Sequence, residues 1–562
     1  MRKTIFVLLA IVALVIALGP GASGNGVMHR AEVMPLRPEV VDQLRAEGRS
    51  SPELLFPSEV NKGHRFAAPE GTPLSTLSVP ETLKALVILV EFSDTDHFYA
   101  QSLYEDLILD TAYDPPGNEV TPPGGSPVHG PTNRTLYNYY QEVSYGTVAI
   151  TGTVASWVKV GHSYDYYCNA TSPNWWGFGP YPQNVQGLVH DAVLKADEAG
   201  LDFSEFDTVD PYDQDEDGDY FEPDGWVDNL FIVHTGSGAE WTGQVDVIWS
   251  HSWDMSEDDF GYQIPEVIVD GVRIMDYSME PEYGGIPDGP YGEVSDPFPP
   301  TVGVYAHEFG HVLGLPDEYD YGYESEGTGR WSLMAGGSWN MFPPISNRFL
   351  GNSPAHPSAW GKYRLGFVSP TVVPPEGLTG VSILPINDQP VAYRIDVPFS
   401  AGTEYFLAEN RQQIGFDEGL GRMGSRAHGL LIYHIDENVL QAGEDGWVYW
   451  RPNEAECWRM NNANCTKVNS YNGQTHYGIS LEQADGRFEL EKGKNRGNAG
   501  DPFPGVGGNH TFSATSTPNS SSFYFWSGPS PVPGTSGVLI TNIQEEAQTI
   551  TADFGHDAQG RW

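Results

Sequence analysis

The sequence predicts a mixed α/β (α+β) fold in its first part, followed by a β-rich C-terminal domain. Residues 84–92 are a continuous apolar run rich in β-branched side chains, typical of a strand buried on both faces. Residues 183–199 repeat apolar side chains at helical spacing. From about residue 370 the pattern changes to short β-type runs. We therefore expect one domain at 81–370 and a second at 371–562.

The remaining elements follow in chain order. A helix is predicted at 133–143, where apolar side chains share one side, and another at 357–365. Residues 147–160 are predicted to form strands of a hairpin or meander, and 226–234 a further strand. The C-terminal strands are predicted at 381–384, 391–397, 405–409, 430–436, 478–481, 538–540 and 549–554.

The composition restricts the classes of partner. The chain has 562 residues, with 75 acidic against 29 basic side chains and a net charge of −46. Such a chain repels nucleic acid and anionic membranes, so neither is an expected partner. We expect a solvated acidic surface to account for part of this charge and calcium binding for another part.

Residues 1–24 have the features of a secretory signal: Arg2 and Lys3, an apolar run at 5–18, then small residues. The run is short for a membrane span, although a retained anchor is the alternative. Residues 25–80 are polar and Pro-rich, which indicates a propeptide-like segment or a plain N-terminal extension. We expect a secreted chain with no stable membrane insertion after signal cleavage.

Three cysteines fit export without a disulfide-dense scaffold. Cys457 and Cys465 are close together in a polar stretch, so a local disulfide is predicted. Cys168 is then left as a buried or free thiol. His434 lies in the strongest C-terminal strand pattern, where a hydrogen-bonded strand histidine is favoured over a distant site residue.

The sequence His-Glu-x-x-His occurs once, at His307, Glu308 and His311. Positions i and i+4 lie on one face of a helix, so both imidazoles can point at one metal ion. Glu308 follows the first histidine, and its carboxylate can reach a water at that metal. This spacing is typical of zinc peptidases in which the glutamate is the general base.

The following residues predict a third ligand. Gly314 suits a sharp helix end, and Pro316 stops the helix from continuing. Asp317 then stands where metzincins have their third ligand, and the adjacent Glu318 is the alternative carboxylate. Met334, in a Gly-rich segment downstream, fits the methionine turn of that class, with an ordinary core residue as the alternative. The first domain is therefore expected to be metzincin-like.

An acidic loop between the long helix and the metal motif predicts a calcium site. Its carboxylates stand at positions 1, 3, 5, 7 and 12, with Gly218 at position 6. Calcium takes six to eight oxygen ligands, which alternating aspartates can supply. An acidic surface loop is the alternative, and the stretch around Asp501 is a second candidate cation loop. The predicted calcium ligands are Asp213, Asp215, Asp217, Asp219 and Asp224.

Together these motifs resemble the immune inhibitor A family of secreted metallopeptidases over about residues 80–510. The resemblance implies one zinc, structural calcium, secretion, a removable prosegment and cleavage of protein substrates. Some relatives carry a long C-terminal array of β domains, and we expect no such array within residues 1–562. The segments that carry the resemblance are 307–320, 222–228, 248–251, 405–412, 429–437 and 500–505.

We therefore expect a secreted zinc endopeptidase, a zymogen whose substrates are proteins or peptides. Glu308 is the expected catalytic base, and His307, His311 and Asp317 are the expected zinc ligands. One alternative is a catalytically weak, calcium-stabilised binding or adhesion protein on the same scaffold. A zinc hydrolase acting on a non-peptide amide is another, and the oligomeric state is left open.

Overall fold

The computed structural model describes residues 32–46, 82–171, 175–210, 219, 221–285, 296–320, 325–398, 400–438, 440, 470–471, 474–475, 477–522 and 534–556. The helices are α1 (Pro38–Ala46), α2 (Gln101–Tyr104), α3 (Leu136–Val143), α4 (Tyr164–Cys168), α5 (Val185–Glu198), α6 (Ala239–Thr242), α7 (Val302–Val312) and α8 (Ala359–Arg364). The strands are β1 (Glu32–Val33), β2 (Thr82–Glu91), β3 (Glu119–Val120), β4 (Val128–His129), β5 (Ala149–Val154), β6 (Val158–Lys159), β7 (Asn229–His234), β8 (His251–Asp254), β9 (Val267–Val269), β10 (Val272–Ile274), β11 (Asp276–Pro281), β12 (Thr371–Val372), β13 (Leu378–Ile383), β14 (Ala392–Asp396), β15 (Glu404–Arg411), β16 (Gly429–Asp436), β17 (Ser470–Tyr471), β18 (Gln474–Thr475), β19 (Ile479–Leu481), β20 (Ser521–Ser522), β21 (Gly534–Thr535), β22 (Val538–Glu546) and β23 (Thr549–His556).

The main sheet has seven strands in the order β1-β8-β11-β7-β2-β5, and β6 also pairs with β2. The ladders among β11, β7, β2, β5 and β6 are parallel. β8 is antiparallel to β11, and β1 is antiparallel to β8. Ala85 to Val90 of β2 are fully buried, as expected for a central strand covered on both faces. Helix α7 lies against β11 and β8.

The mixed α/β prediction for the first part is confirmed, and the predicted helices are present as α3, α5 and α8. Helix α3 begins at Leu136 because the Thr135 hydroxyl caps it by accepting from the Asn138 N–H. The hairpin or meander predicted at 147–160 is wrong, since β5 and β6 both run parallel to β2. Alternating apolar residues identify a strand but do not identify the strand it pairs with.

The C-terminal residues form a five-stranded sheet, β12-β14-β15-β16-β19, and a three-stranded sheet, β13-β23-β22. Along β15, successive side chains point to opposite faces. Tyr405 and Leu407 join the large core that also contains α7. Phe406 and Ala408 face a second core, shared with the three-stranded sheet. The C-terminal strands therefore complete the core of the first part, and the division at residue 370 stays a prediction.

Part of the predicted propeptide-like segment, residues 32–46, packs against the main sheet. β1 extends the sheet beyond β8. The Met34 carbonyl accepts a hydrogen bond of 2.7 Å from the Trp249 indole, and the Pro35 carbonyl accepts one of 2.7 Å from the Trp339 indole. Buried apolar residues of α1 complete this packing.

Some predictions fall on residues that the structure does not describe, namely the signal at 1–24 and the Cys457–Cys465 disulfide. Cys168 is a buried free thiol, and burial raises its pKa. Over the part of the chain that is described, no helix has both the length and the apolar character needed to cross a membrane.

Candidate metal centre

Helix α7 positions both histidines. It is buried along its whole length. The rings of His307 and His311 have centroids 4.8 Å apart, and their Nε2 atoms are separated by 3.2 Å. The helix stops directly after them, because Gly314 takes the left-handed conformation (φ 95°) and its N–H donates to the His311 carbonyl.

The turn after Gly314 brings Asp317 back to the two imidazoles. Its Oδ1 atom is 3.1 Å from Nε2 of His307 and 3.4 Å from Nε2 of His311. All three side chains are buried. Among the residues that the structure describes, these three form the one group of His, Cys, Asp or Glu able to hold a metal ion.

This triangle of donor atoms fits a tetrahedral metal. Zinc bonds of about 2.0–2.1 Å in tetrahedral geometry place the ligand atoms about 3.3 Å apart, close to the three observed separations. The Nδ1 atom of His307 donates to the Leu333 carbonyl (2.9 Å), and that of His311 donates to the Leu315 carbonyl (2.8 Å). Both Nε2 lone pairs therefore face the carboxylate oxygen of Asp317, an arrangement that a cation stabilises.

The pKa shifts of His307 and Asp317 agree with a role as metal ligands. Burial lowers the pKa of His307, which favours the neutral imidazole. Burial opposes the charged form of Asp317, yet His311 and His307 hold the pKa of its carboxyl below the usual range. A neutral imidazole and an ionised carboxylate are the forms that bind a divalent cation.

Glu308 lies beside this triangle and is fully buried. Within the described part of the chain, neither of its carboxylate oxygens accepts a hydrogen bond. Burial raises the pKa of Glu308 well above its usual value, His311 lowers it, and the Glu280 carboxylate raises it further. The sequence pattern does not indicate that Glu280 of β11 lies near Glu308, because only the pairing of the sheet brings it close to helix α7.

The structure distinguishes between the two carboxylates that the sequence offers as the third metal ligand. Whereas Asp317 faces the imidazoles, Glu318 accepts hydrogen bonds from the Ser358 hydroxyl (2.7 Å) and the Thr328 hydroxyl (3.0 Å). Burial raises the pKa of Glu318 to about 7. Its backbone N–H donates to the Met334 carbonyl at 2.7 Å. Glu318 therefore supports the loop and is not adjacent to the histidine pair.

Met334 lies under α7, where the methionine turn is predicted. A Cβ atom added at Gly310 would lie 2.6 Å from the Met334 sulfur, so Met334 packs closely against this turn of the helix. The preceding residue, Leu333, supplies the carbonyl that holds His307. Such backbone acceptors carry no sequence signal, because every residue type has the same carbonyl.

The predicted calcium loop is described only in part. Asp213, Asp215 and Asp217 lie outside the described residues. Asp219 accepts a hydrogen bond from the Phe221 N–H (3.0 Å), and Asp224 accepts one from the Trp226 N–H (2.9 Å). The calcium site stays a prediction.

The other two candidates have structural partners. Asp501 accepts a 3.0 Å hydrogen bond from the Trp331 indole, and its cation loop stays a prediction. His434 is a buried strand histidine, with Nε2 2.9 Å from Glu404 and Nδ1 3.5 Å from Glu482. The interpretation of His434 as a hydrogen-bonded strand residue is the one that agrees with this geometry.

Comparison with known proteins identifies the family of this chain. The family model described as "Immune inhibitor A peptidase M6, catalytic domain" matches residues 75–366. Immune inhibitor A of Bacillus thuringiensis subsp. alesti is 35% identical over 276 residues, covering 46% of this chain and 36% of that protein. Pre-pro-metalloprotease PrtV of Vibrio cholerae serotype O1 is 28% identical over 311 residues, covering 50% of this chain and 29% of that protein. The chain thus spans about a third of the length of these curated relatives. Because the family match covers more than half of the residues, the chain belongs to the immune inhibitor A family of M6 peptidases.

Proposed function

We propose that this chain is a secreted zinc-dependent endopeptidase that hydrolyses peptide bonds in protein substrates. His307, His311 and Asp317 hold one zinc ion, and Glu308 is the general base. The observation that carries the proposal is the buried triangle of two Nε2 atoms and one carboxylate oxygen, with separations of 3.1 to 3.4 Å. The M6 peptidase family match and the metalloprotease name of the Vibrio cholerae relative support it.

The chemistry follows from the residues around the triangle. Zinc, when bound, polarises the scissile carbonyl and lowers the pKa of water towards about 7. Glu308 has both oxygens available for a water molecule and takes a proton from it. Glu308 then passes that proton to the leaving amine. Leu333 and Leu315 keep the imidazoles oriented through their carbonyls.

We extend the proposal to export and latency. The name of the Vibrio cholerae relative, pre-pro-metalloprotease, describes a protein with a leader and a prosegment. Residues 1–24 are proposed as the corresponding signal and 25–80 as the prosegment. Extended peptides often bind by adding a strand to a sheet edge, and β1 occupies the edge of β8. Removal of the prosegment would free that edge for substrate.

Structural calcium in the loop 213–224 completes the proposal. It rests on the spacing of the aspartates, because several carboxylates in so short a loop repel one another unless a cation is bound. Calcium titration monitored by thermal unfolding of the full chain would test it, with calcium expected to raise the midpoint.

Casein hydrolysis tests the proposed activity. The matured full-length chain should cleave casein, lose this activity with a zinc chelator, and regain it when zinc is restored. A folded chain that binds zinc and still cleaves no protein substrate would contradict an endopeptidase. That result would favour the alternative, a calcium-stabilised binding or adhesion protein.

A further inference from the structure

The segment Trp331–Gly337, here called the Met-turn segment, is held from the C-terminal sheet. Arg411 is the last residue of β15 and is fully buried. Its Nη1 donates a 2.9 Å hydrogen bond to the Trp331 carbonyl. Its Nε and Nη2 donate to the two oxygens of Asp417, at 2.7 Å and 2.6 Å.

Asp417 reaches the same segment at a second point. Its Oδ1 accepts a 3.0 Å hydrogen bond from the His356 N–H. The His356 carbonyl then accepts a 3.2 Å hydrogen bond from the Leu333 N–H. The Leu333 carbonyl is the group that accepts from Nδ1 of His307. A continuous series of hydrogen bonds thus joins Arg411 and Asp417 to a candidate zinc ligand.

We propose that Arg411 and Asp417 are positioning residues for the zinc centre, acting through the backbone of Leu333. By fixing the Met-turn segment at Trp331 and Leu333, the pair fixes the carbonyl that orients the His307 ring. Partners that orient a metal-bound histidine typically change metal affinity or activity by about 10–100-fold when they are removed. The proposal deepens the proposed zinc peptidase function and rests on it.

The form of the pair suits this role better than a role in stability alone. Burying two charges costs desolvation energy that their attraction repays only in good geometry, so a buried ion pair is weak support for stability. A two-pronged arginine–carboxylate pair instead supplies fixed direction. Here it leaves Nη1 to donate to the Trp331 carbonyl at 2.9 Å, and the same nitrogen also donates to the buried Glu409 carboxylate at 3.2 Å. The amide of Asn387 donates to Asp417 at 2.6 Å and holds the carboxylate in place.

The proposal also explains a feature of the sequence. The family match ends at residue 366, whereas Arg411 and Asp417 follow it. Arg411 lies in the segment 405–412, which resembles the family without containing any candidate ligand. Its position gives that segment a role, because the catalytic part of the chain depends on the C-terminal sheet for the orientation of His307.

The test compares three variants of the full chain. Arg411→Lys keeps the charge but cannot hold both Asp417 oxygens and the Trp331 carbonyl together. Asn387→Ala loosens Asp417 without removing a charge. Arg394→Lys is the matched control, because Arg394 forms a 2.6 Å ion pair with Asp396 on the neighbouring strand β14.

Two readouts need no turnover: the zinc dissociation constant, from competition with a chromogenic chelator, and the visible spectrum of the Co²⁺-substituted protein. We expect Arg411→Lys to weaken zinc binding by about tenfold or more and to alter the Co²⁺ spectrum. Asn387→Ala should show a smaller change in the same direction. Arg394→Lys should keep the parental values even if its unfolding midpoint falls.

Parental zinc affinity and a parental Co²⁺ spectrum in folded Arg411→Lys would overturn the proposal. If Arg411→Lys is not recovered folded, the same result in Asn387→Ala overturns it. If the parental chain binds zinc and cleaves casein, unchanged zinc binding in the variants refutes only the positioning role. A parental chain that binds no zinc refutes the proposed function as well.

Discussion

We expect the chain to lose stability at alkaline pH, because the ion pair of His434 requires a protonated imidazole. His434 is buried in the C-terminal sheet between Glu404 and Glu482. Burial lowers the pKa of its imidazole, but the two carboxylates outweigh burial and raise the pKa to about 9, from an ordinary value of 6.5. The protonated form is therefore stabilised in the folded state.

The pH dependence and the size of the contribution of His434 to the free energy of unfolding follow from this pKa shift. Because the folded pKa lies above the unfolded one, the contribution is fully present below pH 6.5 and is lost as the pH rises through about 9. At ~1.4 kcal/mol per pKa unit, the shift corresponds to about 3 kcal/mol.

The assay is urea unfolding of the full chain and of His434→Gln at pH 6 and pH 10. The free-energy difference between parent and variant should be about 3 kcal/mol larger at pH 6 than at pH 10. His428→Gln is the control, because His428 pairs with Glu545 in a partly exposed position where solvent screens the charges. An equal difference between parent and His434→Gln at both pH values would refute the reasoning.

Three further predictions concern the metal centre and its support. Glu308→Gln should bind zinc with parental affinity and lose about 10²–10⁴-fold in casein hydrolysis, measured as kcat/KM, since the base is removed but the ligands remain; normal activity would exclude this role. Asp317→Ala should lose zinc, measured by chelator competition, whereas Glu318→Gln should retain it, because Glu318 bonds to Ser358 and Thr328; the opposite pattern would reverse the ligand assignment. A chain ending at residue 370 should fail to give a cooperative thermal transition, because the apolar residues that pack on Tyr405 and Leu407 become exposed; a cooperative transition like that of the full chain would contradict the shared core.

Local sequence determined much of the candidate centre. The four-residue spacing of His307 and His311 puts their rings on one helix face in any α-helix. Gly314 permits the turn that returns Asp317 to them, and that turn involves only neighbouring residues. For the same reason the long apolar patterns were sufficient to predict β2 and α5.

Only the tertiary structure decided which distant parts meet. The parallel pairing of β5 with β2, the approach of Glu280 to Glu308 and the bond from Arg411 to the Trp331 carbonyl join residues far apart in the chain. A periodic pattern records how a segment buries one face, but it does not record which segment covers that face. The support of His307 also passes through backbone carbonyls, which are the same in every residue, so their choice of partner exists only in the folded chain.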